Sequence, residues 1–195
     1  PQHLETFGSL EKVLDTKLEL ADAVKGKGPV FLNFDSEPLK TKNLSQESIS
    51  YGINGEDYTM SNLSIDENGS RFSIKAPDGT RQEFSTRLLG HANVQNICGA
   101  IAVAHHLGIP LTTLAPAVRQ LESVPHRLQL IRQTGLTVID DAYNSNPAGF
   151  RSALDTLSAF SAQRVLVTPG MVELGERQDA LNRELGAYAA TRCDY

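Results

Sequence analysis

The sequence predicts an α/β fold in two parts. A mostly parallel sheet with a small antiparallel side sheet comes first, and a second, partial α/β unit follows. Three observations carry this. Short, nearly all-apolar runs such as Pro29 to Phe34 alternate with segments whose apolar residues recur at helical spacing, as in a parallel sheet flanked by helices. Between Ile49 and Leu88 the texture changes to turn signals separated by alternating polar and apolar residues, the pattern of an antiparallel meander. The run Leu136 to Ile139 ends on Asp140 and Asp141, and a polar loop leads to Pro147, which reads as buried strand, loop and helix.

Taken in order, Ser9 is placed to cap a first helix with Leu10, Val13, Leu14, Leu18, Ala21 and Val24 at helical spacing, and Gly26 and Gly28 end it. Pro29 to Phe34 is then a strand buried on both faces. In the meander, Ile53-Asn54-Gly55, Asp66-Glu67-Asn68-Gly69 and Pro77-Asp78-Gly79 mark turns around segments such as Arg71-Phe72-Ser73-Ile74-Lys75. Asn93 to Leu107 is a helix with Val94, Ile97, Cys98, Ile101 and Ala104 on one face, and a shorter one spans Thr113 to Leu121. Val124-Pro125 breaks the pattern and divides the chain into residues 1–124 and 125–195. Beyond it come a hairpin of Leu128 to Arg132 and Leu136 to Ile139 turned at Thr134-Gly135, and a helix from Pro147 to Phe160 with Asn146 as its cap. A strand from Arg164 to Thr168, a loop from Pro169 to Gly175 and a last helix to Ala190 complete the order.

A net charge of −5 gives no electrostatic footprint for nucleic acid. Cys98 and Cys193 are too few for a disulfide framework and fit a reducing cytosol. No apolar run approaches the roughly 18 residues that span a bilayer. The expected location is cytoplasmic.

Several residues suit chemistry. Polar groups at the carboxyl end of a strand, beside a helix N-terminus, are where open α/β sheets hold phosphates, and Asp140 to Asn146 occupy such a place. Lys17 lies on the apolar stripe of the first helix. There it either loses hydration and becomes a reactive neutral amine, able to form a carbamate with CO2, or snorkels to water. His3 precedes that helix and is a weak candidate ligand. Asn93 suits an N-cap; with Asn96 one turn on, it also suits reading the edge of a nucleobase. Arg127, at the boundary with His126, either clamps phosphates or pairs with a surface carboxylate.

In this order the segments His3 to Ser9, Lys17 to Leu20, Leu32 to Pro38, Gly90 to Asn96, Pro125-His126-Arg127 and Asp140 to Pro147 resemble the Mur ligase family of ATP-dependent amide-forming ligases. The form Asp-Asp-x-Tyr-Asn-x-Asn-Pro is the one typical of the member that adds D-alanyl-D-alanine. Gly170-Met171-x-Glu173-Leu174-Gly175-Glu176 is similar to that member's loop. The resemblance implies the family's central-domain architecture followed by a partial Rossmann-like domain. It implies UDP-MurNAc-tripeptide, D-Ala-D-Ala and ATP as substrates, Mg2+ as cofactor, an acyl phosphate intermediate, and a monomer at full length. It makes Lys17 the carbamylated lysine that holds a second Mg2+ with His3. Asn93 and Asn96 contact adenine, Arg127 the phosphates and Asp141 the ribose; His126 lines the cleft, and Tyr143, Asn144 and Asn146 shape the loop facing the site.

Two departures stand out. The family's His before the first Asn is Ala92 here, with His91 one residue earlier. No Gly-x-x-Gly-Lys-[Ser/Thr] segment occurs, so the expectation is an internal fragment, the back of the central domain and the front of the C-terminal one, inactive alone. Another Mur-type amino acid or glutamyl ligase, and a non-catalytic binding domain on a ligase scaffold, stay compatible with the residues.

Overall fold

The computed structural model describes residues 9–24, 28–40, 44, 46–144, 146–172 and 174–195. Helix α1 spans Leu10–Asp22, and the Ser9 side chain accepts the Lys12 N–H, as its spacing predicts. Ala21 is buried, but Val13, Leu14 and Leu18 are only half-buried and Leu20 is exposed, so α1 seats a narrow stripe. Strand β1 (Val30–Asn33) is followed by the single turn α2 (Glu37–Lys40). The expectation of a strand buried on both faces is corrected. β1 pairs only with β2 and lies at the sheet edge among the described residues, so Leu32 is buried and its neighbours half-buried.

Strands β2 (Ser48–Gly52), β3 (Tyr58–Asp66), β4 (Gly69–Lys75) and β5 (Arg81–Thr86) complete one five-stranded sheet in chain order. β1, β2 and β3 run parallel; β3, β4 and β5 form the expected antiparallel meander, hydrogen-bonded into the same sheet. The Ile53-Asn54-Gly55 turn is not a hairpin turn, which corrects its sequence reading. β3 leaves parallel to β2, paired only at Tyr51–Tyr58 and Gly52–Thr59. The Ser50 N–H and hydroxyl donate to Asp57, and the same hydroxyl accepts the Glu56 and Asp57 N–H groups, which folds the connection back on β2. Gly55 permits the crossing, since a Cβ there would lie 2.5 Å from the Tyr58 carbonyl oxygen.

Helices α3 (His91–His106) and α4 (Leu111–Arg119) cover one face of the sheet. Alternation along β4 buries Phe72 and Ile74 toward them and leaves Arg71 and Lys75 in water. Val94, Ile97, Cys98 and Ile101 of α3 and Leu111 and Val118 of α4 close this core with Met60 and Phe84. Burial pushes the Cys98 thiol up to about 12, so it is an inert core residue.

The second part opens with the two-stranded sheet of β6 (Gln129–Gln133) and β7 (Leu136–Asp140), turned at Gly135. The expected burial of this strand is corrected. β7 pairs only with β6 among the described residues, and Leu136 and Val138 are exposed. Helix α5 (Pro147–Ser158) starts with Asn146 accepting the Gly149 N–H and Pro147 in its first turn, as the sequence predicts. The segment 164–168 is not a strand. Among the described residues its main chain bonds only to Asp194 and Tyr195, and Val167 is 91% exposed. A 3₁₀ turn (Gly175–Arg177) leads into α6 (Gln178–Ala189). Met171, Leu174 and Leu185 form a second, smaller core, and Asn182 ties the loop down by accepting the Met171 N–H and donating to its carbonyl. No helix among the described residues is long and apolar enough to cross a membrane.

Candidate functional site

The first turn of α3 forms one side. Asn93 is not the N-cap. Gly90 holds that position with φ 87°, and the Asn93 side chain instead donates to the Leu89 carbonyl at 2.8 Å. Glycine takes this backbone conformation without the Cβ penalty that would face asparagine, so the helix starts two residues earlier than its sequence suggests. Asn93 is half-buried and Asn96 exposed, on adjacent positions of the same turn. His91 is half-buried and Ala92 exposed.

Beneath this turn, Asp35 sits just past β1. One carboxylate oxygen accepts the Asn54 N–H at 2.9 Å and the Asn54 side chain at 3.1 Å. The other accepts the Ile53 N–H at 3.1 Å and the Gln95 side chain at 2.9 Å. Burial alone would raise its pKa, but these hydrogen bonds together outweigh that and hold Asp35 below the ordinary carboxylate value. Gly52 makes room, because a Cβ there would come within 2.6 Å of the carboxylate.

The boundary segment and the loop after β7 form the other side, and they are bound to each other residue by residue. His126 Nδ1 lies 2.8 Å from Asp140, and the His126 carbonyl accepts the Tyr143 N–H. The Arg127 guanidinium stacks 4.0 Å over the Tyr143 ring, a cation–π contact at an exposed site. The Leu128 N–H donates to Asp141 at 3.1 Å. His126 and Leu128 both take left-handed conformations, with φ 62° and 48°, which costs about 1 kcal/mol or more for each such residue unless its surroundings compensate. Both residues make contacts to the loop after β7, His126 to Asp140 and Leu128 to Asp141. The two neighbouring carboxyls shift oppositely: burial pushes Asp141 up, whereas the hydrogen bond from His126 draws Asp140 down.

Leu128 joins the two sides. It is buried, and its side chain fills the space a Cβ on Gly90 would need, 2.5 Å from that position, with Thr156 of α5 alongside at 3.3 Å. The N-cap of α3, the boundary segment and α5 therefore meet at one point. Sequence reasoning singled out the Leu32 to Pro38 segment but missed the Asp35–Gln95 contact, and it missed Leu128 and the Asp140–His126 pair. The apolar residue directly after Pro125-His126-Arg127 was the available signal for Leu128.

The remaining candidates stand apart. Lys17 is exposed, which fits the alternative in which it reaches water and not the one in which it loses hydration; the α1 stripe beneath it is too shallow to bury it. His3 lies outside the described residues. Tyr143 and Asn144 are exposed, and the Asn146 side chain is committed to capping α5. Among the described residues no three His, Cys, Asp or Glu side chains converge on a metal site, whereas Mg2+ commonly takes one or two carboxylates and completes its shell with phosphates and water.

Residues 1–104 match the Mur ligase middle domain and residues 126–195 the Mur ligase, glutamate ligase domain. A UDP-N-acetylmuramoyl-tripeptide–D-alanyl-D-alanine ligase of Haemophilus influenzae is 36% identical over 96% of this chain and 41% of its own length. The Bacillus subtilis protein of the same name is 32% identical over 95% of this chain and 40% of its own. Crystal structures of MurF from Acinetobacter baumannii and of the Thermotoga maritima MurF ligase in complex with ADP superpose with TM-scores of 0.84 and 0.82. Each is 26% identical, covering 97% and 95% of this chain and 42% and 43% of the respective relative. The chain thus spans about two fifths of the length of these relatives. On these matches, the chain belongs to the Mur ligase family.

Proposed function

We propose that the complete protein is a cytoplasmic, monomeric ATP-dependent ligase that adds D-alanyl-D-alanine to UDP-MurNAc-tripeptide in peptidoglycan precursor synthesis. The γ-phosphoryl group of ATP passes to the terminal carboxylate of the tripeptide, giving ADP and an acyl phosphate. The dipeptide amine attacks that carbonyl, loses a proton, and expels phosphate to leave the amide. Such a reaction requires positioning and charge neutralisation more than covalent help from the protein.

The observation that most supports this reading is the meeting of the α3 N-cap with the boundary segment at Leu128. In this reading adenine lies against Asn93 and Asn96, and the ribose against the Asp141 oxygen that Leu128 leaves free. Arg127 turns from the Tyr143 ring to the phosphates. Its stacking on that exposed ring is weak enough, about 0.5–1 kcal/mol, for a phosphate to outcompete it. His126, held by Asp140, lines the cleft, and Tyr143 and Asn144 border the acceptor side; Asn146 anchors the loop by capping α5. Mg2+ accompanies the nucleotide, and carbamylated Lys17 with His3 is the proposed second Mg2+ site. Those two assignments rest on the family resemblance alone, and the exposure of Lys17 does not add to them.

A relative named UDP-N-acetylmuramate–L-alanine ligase, from Dictyoglomus turgidum, is 30% identical over 85% of this chain, so the acceptor is the point to test. Phosphate release by the complete protein with ATP and UDP-MurNAc-tripeptide is expected with D-Ala-D-Ala and not with single amino acids. Release driven by a single amino acid, and not by the dipeptide, overturns the assignment.

A further inference from the structure

Asp35 has four hydrogen-bond donors and no part in the proposed contacts with ATP. Its position explains what it does. It follows β1 directly and takes both the main chain and side chain of the turn after β2, together with Gln95 from α3. Asn33 supports it from below, accepting the Asp35 N–H at 2.9 Å. Gln95 lies between Asn93 and Asn96, directly before Asn96. Val94 is buried in the core and Asn93 is tied to the Leu89 carbonyl, and the grip on Gln95 adds a third restraint on the turn that carries Asn93 and Asn96.

We infer that Asp35 is a positioning residue for nucleotide recognition: its carboxylate, through Gln95, sets the orientation in which the first turn of α3 presents Asn93 and Asn96. This rests on the nucleotide reading above. The adenine contacts stand on a helix end, which frays readily unless held. The α3 start has no side-chain cap, so the grip of Asp35 on Gln95 supplies support that the cap does not. A site is only as well defined as the residues that hold its contacting groups.

The test is a donor–acceptor exchange in the complete protein. Gln95→Glu sets two carboxylates against each other. It is expected to raise the KM for ATP about three- to tenfold, the worth of one to two hydrogen bonds, and to leave kcat within about twofold. Asp35→Asn combined with Gln95→Glu restores a hydrogen bond between the two with the roles exchanged. It is expected to recover most of the lost ATP affinity even though the Ile53 N–H loses its acceptor. A merely structural clip would lower thermal stability without this split and without this recovery. If Gln95→Glu does not fold, Gln95→Ala removes the donor without adding charge and carries the same expectation for KM. An unchanged KM in the foldable single variant, or a double variant no better than Gln95→Glu, overturns the inference. Asn96→Ala serves as the reference. If it weakens ATP binding while the Gln95 variants do not, the inference alone fails. If Asn96→Ala binds ATP unchanged, the nucleotide reading fails and the inference with it.

Discussion

The two parts of the molecule are held together by different means. In residues 48–118, one sheet and two helices share a continuous apolar core in which Phe72, Met60, Ile74, Val94 and Cys98 are almost fully buried. In residues 128–195 the buried apolar set shrinks to a few side chains around Met171, Leu174 and Leu185. Specific polar bonds do much of the ordering there: the Asn146 cap, the Asn182 clamp on the Met171 loop, and the boundary contacts of Asp140 and Asp141. The first part is a platform whose stability comes from area. The second is a set of helices and loops whose conformation comes from a few directional contacts, and the candidate site lies where the two meet. A boundary between a well-packed part and a more weakly packed one is compatible with the closure over substrates that the proposed reaction requires.

Substitutions can sharpen this contrast. The largest effect is expected in the platform. Phe72→Ala removes a ring stacked on Phe84 at 5.6 Å and should cost about 3–5 kcal/mol, read by denaturant unfolding of the complete protein. A cost below about 1 kcal/mol would mean that the sheet core does not carry the platform. At the junction, Gly90→Ala puts a Cβ against Leu128 in a backbone conformation that favours glycine. It should cost about 1–3 kcal/mol and lower kcat more than this stability loss explains, because Leu128 also fixes the boundary segment. A Gly90→Ala protein with normal turnover would separate the junction from function. In the second part, Asn146→Ala should cost about 1 kcal/mol, the usual worth of an N-cap, seen as a small fall in unfolding midpoint. A loss as large as that of Phe72→Ala would remove the distinction between the two parts.

The same contrast explains which features were legible beforehand. Most local signals agree with the structure, the displaced cap at Asn93 excepted. Asn146 and Pro147 start α5 through a side chain and a ring that act within one turn, and the β4 alternation follows from the pleat. Where geometry depends on distant partners, the reading fails. The parallel course of β2 and β3 depends on Ser50 meeting Asp57 and on the close crossing at Gly55. The residues 164–168 have strand composition but no neighbouring strand to pair with among the described residues. Lys17 lies on a stripe that the helix only half buries, and how far that stripe is covered decides between the two readings its spacing leaves open. Within the site, the boundary and loop motifs were legible as separate segments, whereas their mutual bonds and the role of Leu128 emerge only when the chain folds 13 residues back on itself.

The central claim is that the first turn of α3 and the boundary segment make one nucleotide site. Calorimetric titration of ATP into the complete protein, compared with Asn96→Ala and Arg127→Ala, tests it most directly. Both substitutions are expected to weaken ATP binding, each by about 1–3 kcal/mol, with Arg127→Ala the greater because it removes a charged partner from the phosphates. Unchanged ATP affinity in either variant would contradict the account.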